Sequence, residues 1–74
     1  MQEEELKQVL EKSFPESMIQ VMDLSGQGDH FDLRISSVKF SGKSLMEQHR
    51  MVYDALGDLM KGPIHAVKIN TFAE

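Results

Sequence analysis

Phe31-Asp32-Leu33-Arg34-Ile35-Ser36-Ser37-Val38-Lys39-Phe40-Ser41-Gly42-Lys43-Ser44-Leu45-Met46-Glu47 is the stretch in which the apolar period of the chain changes. Phe31, Leu33 and Ile35 alternate with Asp32, Arg34 and Ser36, the pattern of a half-buried strand. From Ser44 the pattern becomes helical. Ser44 stands three residues before Glu47, the spacing at which each side chain of a capping box accepts the other residue's backbone N–H. Leu45, His49, Val52, Leu56 and Leu59 then step by four, three, four and three, forming one stripe on a helix predicted to run to about Lys61. Lys61 suits the negative end of the helix dipole, and Gly62-Pro63 closes the segment. Residues 38–43 are a connector, in which Gly42 supplies a special backbone angle before the helix.

Working outward, residues 3–14 predict a second helix. Leu6, Val9, Leu10 and Phe14 share a face, and Glu3, Glu4 and Glu5 crowd the first turn, where carboxylates favour the dipole. Phe14-Pro15 ends it, because a residue before proline avoids the helical region. Residues 18–24 read as a strand with poor alternation, so its buried face is undetermined. Ser25-Gly26-Gln27-Gly28-Asp29 is turn chemistry, which joins that strand to Phe31–Ile35 as an antiparallel hairpin. Residues 64–70 form a last strand with Val67 and Ile69 on one face. The order is αββαβ. Three strands can bury one face under two amphipathic helices, giving a two-layer α+β domain over residues 1–74. If the last strand lies parallel to its neighbour, the long helix is the crossover.

Composition narrows the function. Seventy-four residues make one small domain, and a chain of this size buries only ~60% of its unfolded surface, too little to enclose a roomy pocket. There are no cysteines, which removes disulfides, thiolate metal sites and a thiol nucleophile. Stability has to come from packing, with room for help from a partner such as a second copy in a homodimer. The net charge of -4 disfavours non-specific polyanion binding. No apolar run approaches the ~20 residues of a membrane helix, and the acidic start Glu3-Glu4-Glu5 is unlike a signal peptide; a cytoplasmic protein is expected. No phosphate-binding loop, dinucleotide fingerprint or nucleophile elbow is present, so the chain is not expected to be an enzyme.

The segment from Val38 to Val67 resembles the signature of the BolA-like proteins. Phe40-Ser41-Gly42-Lys43-Ser44 is similar to their Phe-x-Gly-x-Ser connector. His49-Arg50-Met51-Val52-Tyr53 is similar to the His-Arg-x-Val-Tyr of their long helix, and Ile64-His65-Ala66 to the His-Ala pair that opens their last strand. Phe40, Gly42, Ser44 and His49 are thus the structural motif. The resemblance implies a fold like a class II KH domain and a partner, a monothiol glutaredoxin with glutathione, with which a [2Fe–2S] cluster is bridged. It also implies an alternative role, DNA binding in transcription regulation and stress response. Two features depart from the family: the turn between the first strands is short and lacks cysteine, and the chain ends at Thr71-Phe72-Ala73-Glu74, before the family's Thr-Pro and later tryptophan.

Three histidines carry the chemical expectations. The resemblance makes His65 a cluster ligand; an imidazole is a good iron ligand, and two histidines can replace two cysteines on one iron. Alternation, by contrast, places His65 on the side of Val67 and Ile69, as a strand-end histidine half-covered by core. His30, after the turn, is either a second ligand or a solvent-exposed turn residue. Their spacing fits no local metal motif. His49 lies in the apolar stripe and is read as structural, with Tyr53 four residues on. Lys39, Lys43 and Arg50 form a basic cluster, with Arg34 and Lys61 as neighbours, and would bind nucleic acid in the alternative reading; no Gly-x-x-Gly loop accompanies them. Met18, Met22 and Met60 are expected to fill the core, and Met46 and Met51 to be exposed.

Overall fold

β2 (His30–Ser37) forms the centre of a three-stranded sheet, flanked by β1 (Met18–Asp23) and β3 (Ala66–Ala73). β1 pairs with it antiparallel, with Ile19 opposite Ile35 and Val21 opposite Leu33. β3 pairs with it in parallel, with His30 opposite Ala66 and Leu33 opposite Ile69. Two helices, α1 (Glu3–Ser13) and α2 (Leu45–Leu56), cover one face, and short 3-10 helices occupy Val38–Phe40 and Gly57–Lys61. The computed structural model describes residues 1–73; the last residue of the 1–74 range read from the sequence lies outside the described residues. The parallel pairing makes α2 the crossover, as parallel strands require. Among the described residues no helix is long and apolar enough to cross a membrane.

The core follows from the two periods. Leu6 and Leu10 of α1, and Phe14 that caps it, meet Ile19, Phe31, Leu33 and Ile35 of the sheet and Val52 and Leu56 of α2, all buried. Phe40 from the connector is fully buried, with its ring 5.2 Å from that of Phe14. A side chain of this kind contributes about 1.5–3 kcal/mol when fully buried. The connector is therefore part of the core. Gly42 has a φ of +76°, as the sequence implied, and the Ser44/Glu47 capping box forms in full.

Several expectations are corrected. The long helix stops at Leu56 instead of about Lys61. Gly57, at φ +52°, turns the chain out of the α-helical conformation, and a 3-10 helix runs on to Lys61. Leu45 opens the stripe in sequence but is 63% exposed and lies outside the core, which the stripe enters only at Val52 and Leu56. The last strand runs over Ala66–Ala73 instead of 64–70, since Thr71, Phe72 and Ala73 still have Ile35, Ser36 and Ser37 to pair with. Met18 and Met22 are exposed: the register that turns Ile19 and Val21 toward the helices turns them to the open face. Met51 packs against the core, whereas Met60 packs there as expected and Met46 is exposed.

Candidate metal-ligating site

The turn between β1 and β2 is organised by a carboxylate. Asp23 accepts the backbone N–H groups of Ser25 (3.1 Å), Gly26 (2.9 Å) and Gly28 (2.9 Å), and its own N–H donates to Glu3 Oε2 at 2.7 Å, tying the turn to α1. Partial burial opposes the charge on Asp23, but the N–H groups of Gly26, Ser25 and Gly28 outweigh it and hold the carboxyl below its ordinary value of 3.8. Gly28 has a φ of +76° and packs directly on the main chain of Met1, leaving no room for a side chain. This turn delivers Asp29 and His30 to the start of the central strand, at one end of the sheet.

Because β2 and β3 are parallel, both start at the same end of the sheet. His30 is the first residue of β2, and His65 directly precedes β3. The main-chain oxygen of Asp29 accepts the N–H of His65 at 2.8 Å and of Ala66 at 3.2 Å. The Asp29 carboxylate lies between the two rings: Oδ1 is 2.8 Å from His30 Nδ1 and Oδ2 is 3.4 Å from His65 Nδ1. Ser25 adds its hydroxyl to Oδ1 at 2.7 Å. The ring centroids are 6.1 Å apart at an interplanar angle of 88°. The side chains of His30 and His65 are 47% and 68% exposed. The hydrogen bonds from His30 and then Ser25 hold the Asp29 carboxyl at about 2, with attraction to both imidazoles adding to them against partial burial.

Of the sequence-predicted site residues, His30 and His65 are thus brought together, and His65 faces solvent instead of being half-covered. His49 is separate: it is half-buried on α2, beside exposed Leu45, Met46, Arg50 and Tyr53. The basic cluster divides. Lys39 Nζ donates to the main-chain oxygen of Ser13 at 2.7 Å, at the C-terminal end of α1, and lies 5.9 Å over the Phe14 ring. Lys43 and Arg50 flank Glu47, whose carboxyl is lowered first by the Ser44 hydrogen bonds and then by these two cations. Arg34 lies 4.0 Å from Asp32 on the sheet, and Lys61 lies 4.0 Å from Asp58. Asp29, read from the sequence only as part of the turn, was given no role in the site; its signal was an aspartate immediately before a strand-initial histidine.

An αββαβ chain with one mixed sheet, two helices on one face and a histidine at the head of each parallel strand is a two-layer domain of the BolA fold. The chain belongs to the BolA-like family, whose pattern, described as BolA-like protein, matches residues 4–74. It is 43% identical over 70 residues to the protein RP812 of Rickettsia prowazekii, covering 95% of this chain and 91% of that one. The solved BolA domain of SufE1 from Arabidopsis thaliana superposes with a TM-score of 0.86 at 36% identity, covering 96% of this chain and 90% of that chain. The DNA-binding transcriptional regulator BolA of Escherichia coli is 27% identical, covering 93% of this chain and 72% of its own length.

Proposed function

We propose that this chain is a BolA-like adaptor that binds a monothiol glutaredoxin and supplies His65, with His30 beside it, to a bridged [2Fe–2S] cluster that is transferred or sensed. The supporting observation is the exposed imidazole pair on a shared carboxylate. The donor set suits such cargo. Imidazole binds iron, and two histidines on one iron is an established cluster arrangement. The chain has no cysteine, and among the described residues no group of three or more His, Cys, Asp or Glu side chains is arranged to hold a metal. The sulfur ligands therefore come from the partner, a glutaredoxin cysteine and glutathione. The chain acts by binding, without turnover.

The test is His65→Ala in the cluster-loaded complex, read by visible absorption and circular dichroism. The reading expects altered spectra with an intact fold. Spectra identical to wild type would reject the ligand role.

A second reading, a DNA-binding regulator, is favoured by the Escherichia coli relative. Its basic surface here reduces to Lys43 and Arg50, because Lys39 is engaged at the end of α1, and the chain carries a net charge of -4. This reading expects a complex that weakens steeply with salt; gel shifts without a complex at low salt would end it.

A further inference from the structure

Two imidazoles that face one carboxylate are not free to choose their tautomers. Asp29 Oδ1 stands 2.8 Å from His30 Nδ1, and Asp29 Oδ2 stands 3.4 Å from His65 Nδ1. A carboxylate only accepts hydrogen bonds and repels a lone pair: His30 Nδ1, hydrogen-bonded to Oδ1, therefore carries the proton, and His65 Nδ1, in ion-pair contact at 3.4 Å, is driven to the same form by the charge it faces. In the neutral ring the other nitrogen then keeps its lone pair. We propose that Asp29 is the positioning residue of the histidine pair: its single carboxylate fixes His30 and His65 with the proton on Nδ1 and presents both Nε2 atoms outward as the ligating atoms. This deepens, and rests on, the reading of the pair as cluster ligands.

The carboxylate is itself held in place. Ser25 donates its hydroxyl to Oδ1 at 2.7 Å, and Ser25 belongs to the turn that Asp23 organises. The connection therefore runs from Asp23 through Ser25 to Asp29 and on to both rings. A histidine whose second N–H is given to a carboxylate is fixed in orientation and made a more basic ligand. Here one carboxylate serves two rings, so one substitution unsettles both. The side-chain role is separable from the main-chain role. The backbone oxygen of residue 29 accepts the N–H groups of His65 and Ala66 whatever side chain the residue carries, so the start of β3 stays in place when the carboxylate is changed.

Asp29→Asn exploits the difference between acceptor and donor. With the amide oxygen in the place of Oδ1, where Ser25 and His30 donate, the amide NH2 faces His65 Nδ1 and donates to it. His65 then carries its proton on Nε2, while His30 keeps it on Nδ1. Asp29→Leu releases both rings to the Nε2-protonated form that free imidazole side chains prefer in water.

Long-range proton–nitrogen correlation spectra of the isolated protein read the tautomers directly, at about pH 8. His49 serves as the internal reference, and backbone amide spectra verify the fold. Expected are Nδ1–H forms for His30 and His65 in wild type, a switch at His65 in Asp29→Asn, and a switch at both in Asp29→Leu. A wild-type spectrum with the proton on Nε2 of either ring would overturn the proposal, as would both variants retaining the wild-type tautomers. In the complex, Asp29→Asn is expected to weaken cluster retention about 10- to 100-fold; retention equal to wild type would overturn the positioning role. The tautomer measurement needs neither glutaredoxin nor cluster. If the tautomers are as expected and His65→Ala leaves the spectra of the complex unchanged, the cluster reading falls while the control of the rings by Asp29 stands.

Discussion

Ile64 and His65 are neighbours in the chain and opposites in exposure, which makes a paired substitution decisive. Ile64 is 0% exposed and part of the core, whereas the His65 side chain is 68% exposed. Ile64→Ala truncates a fully buried branch where the chain enters β3, and such changes cost about 2–5 kcal/mol. In a domain of this size each 1 kcal/mol moves Tm by roughly 4–8 °C, so the low end of that range already lowers Tm by about 8 °C or more. His65→Ala removes a ring whose side-chain contacts are the Asp29 oxygen at 3.4 Å and the edge of His30. Exposed changes of this kind stay within about 0.5 kcal/mol, a shift below roughly 4 °C. Thermal unfolding followed by far-ultraviolet circular dichroism measures both variants under one condition. The outcome that refutes the reasoning is specific: His65→Ala melting as early as Ile64→Ala. That would place the imidazole in the interior, where it could reach no partner, and any change in the spectra of the cluster complex would then report unfolding.

Gly28→Ala is expected to cost more than about 1 kcal/mol, because alanine is strained at positive φ and its Cβ would meet the Met1 main chain; a urea midpoint equal to wild type would contradict this. Ser44→Ala removes the hydroxyl that accepts the Glu47 N–H at 3.1 Å and should cost about 1 kcal/mol, typical of a lost N-cap, read from urea unfolding. Acid stability has a defined sign. The Asp29 carboxyl is held at about 2 against an ordinary 3.8, so its contribution is complete above about pH 4 and is lost as pH falls toward 2. Asp23 and Glu47 are lowered as well and act in the same direction. Urea unfolding across this window should therefore show stability falling with acid, less steeply in Asp29→Asn, and equal slopes for the variant and wild type would refute the assignment.

The fold was legible where a local pattern and the tertiary environment agree. The alternation of Phe31, Leu33 and Ile35 predicted the strand, and all three are buried. The Ser44/Glu47 spacing predicted the capping box, which is set within one turn and needs no distant partner. Legibility failed where tertiary pairing decides. Met18 and Met22 look like core residues because methionine is apolar, yet their side of β1 is fixed by the opposition of Ile19 to Ile35. A shift of one residue in that register would have reversed every side chain of the strand. Leu45 continues the apolar stripe in sequence, but a periodic pattern does not show at which turn the core begins, and here the buried part of the stripe is Val52 and Leu56. The bend at Gly57 was hidden by a periodicity that runs on to Leu59, a residue that still packs against the core from the 3-10 helix.

The candidate site shows the same division more sharply. Residues 30 and 65 lie far apart in sequence, and no local spacing rule joins them. The parallel pairing of β2 with β3 joins them, because it requires both strands to begin at one end of the sheet and sets His30 opposite Ala66. Had β3 run antiparallel to β2, its start would have met the opposite end of β2, and the two rings could not share one carboxylate. The crossover through α2 is thus what creates the pair, and the hairpin turn supplies the aspartate that orients it. Lys39 illustrates the converse. Sequence proximity grouped it with Lys43, but the end of α1, with its carbonyl groups exposed, is the stronger attractor for an ammonium group. Residue type and spacing therefore nominate candidates, and strand direction decides which of them can act together.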